Sequence, residues 1–532
     1  MRTLLLLLAL NVVPALAQWE WLQAVQSSSP ELEYGHVVRY CPDSGMVATG
    51  QFRNGAQFGA IVFTGPVLNQ MNAYVVRYAA DGEVEWAHAF RSTEQQSQTD
   101  AYGLAVDGEG NIIVGGTVGD TLLIDGVPAL EVGVGGSSSW FIAKFDPSGT
   151  MLWVNSYTGN APYRTLWSLD VDEAGNIWAS GTRQSSVSRL VKFSGEDGDE
   201  LFVSDDIYGS ASRVEATANG KIMLHGQSSN NFTLGTLSCP LSGELAGGGY
   251  TNWTVQLDTS GTAEWYYAPD QGFTGGMPWS TMSMSVTEDG HSYVYARANT
   301  RINGDTIAYG GVRKGIFLLG PTGAPVWWKH INNSGTLSVF DMRAVAGGGC
   351  WVVGTMSGTC DLVDTTVTHT GIFMFLYDDA GNVVRRAFGP AVVNIYSVDA
   401  RPNEVLVGGV QAGDVSFGDH AITNNWFGFF AARYGPANDV GIGELSGPQV
   451  LSIFPNPANE LINIVADPAL FGQRAMIEVF DATGSRVHAE QVSNFNALQP
   501  LDLPQDWKEG LYLVMVRAEG QAPKAARVVV KR

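Results

Sequence analysis

The feature that most constrains this chain is self-similarity at a fixed spacing. The pattern is complete between Tyr102 and Tyr157. An alternating run, Leu104-Ala105-Val106-Asp107, leads into the turn Gly108-Glu109-Gly110-Asn111 and the apolar run Ile112-Ile113-Val114-Gly115-Gly116-Thr117. After a variable loop come Trp140-Phe141-Ile142-Ala143-Lys144-Phe145, the turn Asp146-Pro147-Ser148-Gly149, and Met151-Leu152-Trp153-Val154. That is four short strands punctuated by turn residues. The second half returns between Tyr74 and Trp86, Trp253 and Trp265, Gly315 and Trp327, Gly371 and Val384, and more weakly between Leu190 and Phe202. The first half returns from Leu169, Val214, Met284, Met342 and Val398.

Seven copies begin near residues 31, 98, 163, 208, 280, 337 and 395. A lone four-stranded sheet cannot bury its two faces, whereas sheets stacked around an axis bury both and leave only short edges. The expectation is therefore an all-β chain whose main part is a seven-bladed β-propeller, with eight blades or an open β-solenoid as the alternatives. The last copy ends at Phe429-Phe430-Ala431-Ala432-Arg433-Tyr434, without a closing Trp-bearing strand. Such a strand stands near the other end, Gln18-Trp19-Glu20-Trp21-Leu22, and is expected to complete the last blade.

Composition agrees with many strands and tight turns: 45% hydrophobic, 15% charged, 64 glycines. The net charge of −22, with no long block of either sign, disfavours nucleic acid as a partner. Arg2, the apolar run Leu4 to Leu10 and Ala15-Leu16-Ala17 read as a signal peptide over residues 1–17. Gln18 rather than Cys follows the expected cut, so lipoprotein anchoring there is not expected. No later apolar run is long enough to predict a transmembrane segment. Of the four cysteines (Cys41, Cys239, Cys350, Cys360), Cys350 and Cys360 flank what reads as one hairpin. A disulfide across it and free buried thiols are both open readings.

No H-E-x-x-H, G-x-S-x-G or P-loop is present, so no catalytic residue is assigned. The eight histidines are scattered without metal-ligand spacing, and neither a metal nor a cofactor is expected. Turns such as Asp107 to Asn111 and Asp378 to Asn382 look superficially like calcium loops, but their ligand spacing does not continue, and they read as hairpin turns. Trp86, Trp153, Trp265 and Trp327 recur at one strand position and are expected to be core. Trp167, Trp178, Trp279, Trp328 and Trp426 break that rule and are the candidates for an exposed ligand-binding platform. The longest insertions, Asp120 to Ser139 and Asn230 to Tyr250, are the loops where function is expected.

These repeats resemble bacterial β-propeller proteins with the pattern D-x-x-G-N-(apolar)-G-T followed by (aromatic)-(apolar)-x-K-(aromatic)-D-x-x-G-x-x-x-W. That resemblance implies a fold and not a function. Residues 437–448 read as a linker, and the tail beyond it as a small C-terminal β-sandwich. The tail carries Phe454-Pro455-Asn456-Pro457-Ala458-Asn459, Val479-Phe480-Asp481-Ala482-Thr483-Gly484, Gly510-Leu511-Tyr512-Leu513-Val514-Met515-Val516 and the basic end Lys531-Arg532. Over residues 449–532 it closely resembles the type A C-terminal sorting domain of the type IX secretion system of the Bacteroidetes. The resemblance places the sorting motif at Pro455, Asn456, Pro457, Gly484, Gly510, Tyr512 and Lys531. It implies Sec export through the periplasm, the type IX machinery as partner, and a final position outside the cell or on the outer-membrane surface. The expected division is a signal peptide (1–17), a propeller closed by its N-terminal strand (18–436), a linker (437–448) and a sorting domain (449–532). The expected function is a secreted or cell-surface binding or scaffold propeller with a glycan or protein ligand. A polysaccharide hydrolase or lyase with carboxylates at the channel mouth, and a structural adhesion protein, are the alternatives.

Overall fold

The structure is a computed structural model, and it describes residues 17–531 except 25, 28–33, 65–69, 94–97, 133–137, 158–164, 185–186, 241–250, 269–282, 299–300, 303–304, 307–312, 334, 363–364, 392, 403, 419, 424–426, 437–451, 455–457, 466–471, 482–485, 497, 506 and 519–523. The signal peptide to residue 16, the linker, Trp279, Trp426, Pro455, Asn456, Pro457 and Gly484 lie outside the described residues. Among the described residues there are strands and no helix, so no helix is long and apolar enough to cross a membrane. The chain divides into two compact parts, Met1–Asn438 and Asp439–Arg532.

The first part is a succession of four-stranded antiparallel units. The first unit comprises Tyr34–Tyr40, Met46–Phe52, Asn72–Tyr78 and Val84–Ser92; the second, Asp100–Val106, Ile112–Gly119, Ser138–Phe145 and Met151–Tyr157. The third comprises Leu166–Val171, Ile177–Gln184, Val187–Phe193 and Glu200–Val203; the fourth, Ser210–Ala216, Lys221–Ser228, Thr251–Asp258 and Ala263–Tyr267. The fifth comprises Met284–Val286, Ser292–Ala298, Arg313–Leu319 and Pro325–Asn333; the sixth, Thr336–Ala344, Cys350–Leu362, Thr365–Tyr377 and Val383–Phe388. The seventh has only Val393–Arg401, Glu404–Ala412 and Phe427–Pro436 from its own stretch of chain. Its fourth strand is Ala17–Ala24, with Trp19 opposite Tyr434 and Leu22 opposite Ala432.

The turns within units follow from local chemistry. In Asp107–Asn111 the Asp107 carboxylate accepts from the backbone N–H groups of Glu109 (3.0 Å) and Asn111 (2.8 Å), while Gly110 takes φ +84°. A left-handed φ at that place selects glycine, and the Asp side chain replaces the missing strand partner. Asp146, Asp172, Asp258 and Asp378 do the same for the N–H groups two and four residues on. The Asp carboxylates of these turns are thus bound to backbone.

The middle strands are buried at nearly every position because both faces are covered. Ile112 and Val114 face the first unit, beside Val47, Val75 and Phe90. Ile113, one residue away, faces the third, beside Leu169, Ile177 and Ala179. Corresponding clusters join the third unit to the fourth, the fourth to the fifth, the fifth to the sixth and the sixth to the seventh. Leu406, Phe429 and Ala431 of the seventh unit pack on Val38, Met46, Phe52 and Val76 of the first.

Two sequence expectations change. Cys350 and Cys360 do not face each other: both lie on the strand Cys350–Leu362, opposite Tyr377 and Val367 respectively. Ten residues along one strand separate them by roughly 33 Å, which no disulfide spans. All four cysteines are buried free thiols. The insertion Asp120 to Ser139 is largely a hairpin, Thr121–Ile124 with Val127–Glu131. It extends the first unit beyond Val84–Ser92 and buries Leu122, so its residues serve packing. The insertion after Asn230 forms a second hairpin, Phe232–Leu234 with Leu237–Cys239.

The second part is a sandwich. One sheet holds Ser452–Phe454, Leu461–Val465 and Leu498–Asp502; the other holds Ala475–Asp481, Arg486–Val492, Gly510–Ala518 and Lys524–Val530. Ile462, Ile464 and Leu501 of the first sheet meet Ile477, Val479, Val514, Val516 and Val528 of the second in a common core. Alternation along each strand supplies one inward face.

Candidate functional site

The first strand of each unit has only one strand neighbour, so every other backbone N–H along it needs a different partner. The preceding unit supplies it from a side chain. Ser168 accepts from the Val214 N–H (3.2 Å), Asp341 from Val398 (2.9 Å) and Ser397 from Val38 (3.2 Å). Two residues further along, Asp170 accepts from Ala216 (2.8 Å), Glu215 from Val286 (2.9 Å), Ser285 from Ala344 (2.9 Å) and Asp399 from Tyr40 (2.7 Å). Buried polar groups at these two tiers therefore latch the first strands from the third unit through the seventh and on to the first, each to the next. This explains Ser and Asp at positions that a simple core would fill with apolar residues.

Just before these tiers the first strands bulge. The pairing register skips His36, Trp167, Ser212, Phe340 and Tyr396. In the second unit it shifts between Gly103 and Asp100, leaving Tyr102 at the same place. A bulge turns its extra residue off the ladder, and here all six line one cavity of about 360 Å³. Five of the six are aromatic. The His36 and Tyr102 rings are 4.0 Å apart, Tyr102 and Trp167 5.4 Å, and Phe340 and Tyr396 5.9 Å edge to face. The Trp167 indole donates to Thr182 Oγ1 at 2.8 Å, which fixes its orientation.

Beside this collar the lining turns polar, with Arg39, Gln51, Arg213 and Asp341. Arg213 pairs with Glu215 (3.2 Å) and Asp341 (3.1 Å); Arg343 pairs with Glu215 (3.4 Å) and Asp399 (2.9 Å). Glu215 and Arg343 in turn line a smaller cavity of about 140 Å³ with Asp170 and Glu288. Burial pushes the Asp170 carboxyl above its ordinary range, against the nearby Arg343 charge. Burial likewise pushes the His36 imidazole down to about 4, against a hydrogen bond to Gln51, so His36 is neutral at pH 7. The arrangement can stack a ring on aromatic faces and fix its substituents by hydrogen bonds and charge. Among the described residues no group of His, Cys, Asp or Glu is placed to hold a metal ion.

Of the tryptophans singled out from sequence, Trp167 lines this cavity. Trp178 is not a platform: it is fully buried between the third and fourth units, and its indole donates to Asp172 at 3.0 Å. It stands on a second strand, where both faces are covered. Trp328 is half-buried against Phe317, with ring centroids 6.4 Å apart, in the contact between the fourth and fifth units. Sequence reading missed the other five bulge residues and the arginines. Their signal is the register Trp167-Ser168-Leu169-Asp170, Tyr396-Ser397-Val398-Asp399 and Phe340-Asp341-Met342-Arg343, which aligns at the head of the repeats.

In the C-terminal sandwich, Tyr512 donates to the Lys508 carbonyl (2.8 Å) and stacks on Trp507 at 4.8 Å. The Ala458 N–H donates to Val529 (2.7 Å) and the Lys531 N–H to Ala458 (2.8 Å), which ties the basic end to the start of the domain. Gly510 opens the strand that pairs with Lys524–Val530. Residues 452–531 match the family described as the secretion system C-terminal sorting domain. The chain carries a type IX sorting tail. That tail implies contact with the type IX secretion machinery and export to the cell exterior or surface. No curated protein matches the chain. Among solved structures, the WD40 β-propeller domain of Doa1 is similar at 11% identity and a TM-score of 0.41, over 80% of this chain and 97% of that one. A gluconolactonase from Xanthomonas campestris is similar at 10% identity and 0.30, over 79% and 91%. Drosophila Plexin A in complex with Semaphorin 1b is similar at 9% identity and 0.39, over 79% and 88%.

Proposed function

We propose that this chain is a secreted or cell-surface binding protein. In this reading it is a seven-bladed β-propeller closed by its N-terminal strand, and the aromatic-collared cavity holds a small ligand or the end of a polymer. Closure is supported by the apolar cluster between the seventh and first units and by the bonds from Val38 to Ser397 and from Tyr40 to Asp399. The observation that carries the binding reading is the convergence of six bulge residues, from six different units, on one cavity. Fold stability alone gives no reason for five of them to be aromatic and half-buried rather than polar and latched. Binding is favoured over hydrolysis because the carboxylates at the cavity are committed: Asp341 accepts from Met342 N, Val398 N, Ser283 Oγ and Arg213. Residues 1–17 are its cleavable export signal, placed directly before the closing strand.

The test is a thermal-shift screen of the purified chain against glycans, small acids and peptides, repeated with Trp167→Ala. A ligand that binds only the folded state raises the melting temperature by mass action. The expected result is a shift with one ligand class that Trp167→Ala abolishes. A shift that survives both Trp167→Ala and Tyr102→Ala places binding elsewhere and overturns the reading.

A further inference from the structure

Resting on the reading of this cavity as a ligand site, we propose that it selects a carboxylate carried on a six-membered ring, the ring lying on the aromatic collar and the carboxylate on Arg39. The charged groups of the lining are Arg39, Arg213 and Asp341, two cations to one anion. Arg213 is held by Asp341 and Glu215. Arg39 is different. Its guanidinium donates to the neighbouring Val38 carbonyl at 2.8 Å, and among the described residues no carboxylate lies within ion-pair distance of it.

Its place in the repeat sharpens the point. Arg39 stands three residues after the bulge at His36, a place where Asp170, Glu215, Ser285 and Asp399 each accept an N–H from the next unit and where Arg343 of the sixth unit instead pairs with Glu215 and Asp399. A guanidinium has no acceptor, so Arg39 cannot serve that latch. A residue that breaks the local rule of a repeat without a structural return marks function. Burial disfavours its charge, the Arg343 and Arg213 charges disfavour it further, and the more distant Asp399 and Asp341 carboxylates offset this only in part. A bound anion relieves both costs and is met by a fork geometry suited to carboxylate. The collar provides the second half of recognition: the contiguous faces of His36, Tyr102 and Trp167 offer a stacking surface. A cavity of about 360 Å³ suits one or two such rings.

Sugar acids and aromatic acids share this chemistry, and a titration of the full chain separates them. The probes are galacturonate and digalacturonate, phenylacetate, and the neutral controls galactose and 2-phenylethanol, read by isothermal calorimetry at low salt. At least one acid is expected to bind tenfold or more tightly than its neutral control. The uronates mark a glycan end as the source, and phenylacetate marks an aromatic acid. Arg39→Gln is expected to remove that preference while keeping the melting temperature, since it deletes a cation that its surroundings disfavour on balance; Arg39→Lys is expected to restore part of it. Neutral controls that bind as well as the acids, unchanged in Arg39→Gln but lost in Trp167→Ala, overturn this inference and leave the ligand site standing. A marked fall in melting temperature in Arg39→Gln makes Arg39 structural and overturns it too. Absence of binding by every acid and control, where other ligands shift the wild type but not Trp167→Ala, also sinks the inference alone.

Discussion

The indole N–H of Trp86, on the fourth strand of the first unit, donates to the carbonyl of Pro147 in a turn of the second at 3.1 Å. The same bond recurs from Trp153 to Gly195 (3.4 Å), Trp265 to Pro321 (2.9 Å) and Trp327 to Asp379 (2.8 Å). The ring lies on Gly149, at φ +88°, where a Cβ would come within 2.8 Å of it. Trp86→Phe is expected to cost about 1 kcal/mol, the usual net value of one hydrogen bond. Trp86→Ala is expected to cost about 3–5 kcal/mol through the cavity it leaves. Gly149→Ala combines a left-handed φ with that overlap and is expected to cost about 1–3 kcal/mol. Urea unfolding measures all three; an unchanged midpoint for Trp86→Phe would show that the bond contributes nothing.

The N-terminal strand is expected to act as a clasp. Trp19 is buried against Phe417 (4.6 Å) and Tyr434 (5.2 Å), and its carbonyl accepts from His420 at 3.1 Å. A chain beginning at Leu32 is expected to melt well below one beginning at Gln18, and Trp19→Ala to lose about 3–5 kcal/mol. Equal melting temperatures for the two chains would remove the clasp.

Stability is expected to fall as pH rises from about 4 to about 7. Burial pushes the Asp100 carboxyl up to about 7, against a hydrogen bond from the Thr117 N–H at 2.9 Å. A folded-state value above the unfolded one means that the folded chain holds the extra proton between pH 4 and 7. Its contribution is therefore full at low pH and declines by about 1.4 kcal/mol per unit until pH 7. Asp100→Asn keeps an acceptor for Thr117 and has no charge to bury, so it is expected to stabilise the chain at pH 8 and not at pH 4. Melting curves of both proteins across pH 4–9 check this; parallel curves would refute the assignment.

All four thiols are expected to be unreactive in the native state. Burial pushes Cys41 and Cys239 up to about 12, and pushes Cys350 well above the ordinary thiol range. Denaturation without reductant followed by alkylation should add four labels per chain, as read by intact mass, and brief native labelling none. Two labels after denaturation would indicate a disulfide.

How much of this was legible depended on the range of the interaction. The turns were readable because Asp107, Gly110 and Asn111 complete their bonds within five residues. The alternation of strands was readable because period two is a property of one strand. The Cys350–Cys360 hairpin was misread because the apolar strand runs on through Gly354 and Gly358 to Leu362, where a turn was expected. Trp178 was misread because nothing local distinguishes a second strand, covered on both sides, from an edge. The cavity was out of reach: Ser397 and Val38, which latch it, are 359 residues apart.

The sequence by itself determined that the chain is all-β, built from four-stranded repeats with Asp–Gly turns, and that it ends in a sorting tail. Each of these is written in residues near one another, where backbone preferences and side-chain size act directly. Tertiary structure alone decided that six bulges meet in one cavity, that Arg213 and Arg343 find carboxylates within ion-pair distance while Arg39 finds none among the described residues, and that Trp19 fills the seventh unit. Those outcomes depend on register shifts and on first strands brought side by side from distant parts of the chain, and no local preference encodes which side chains will then share a space.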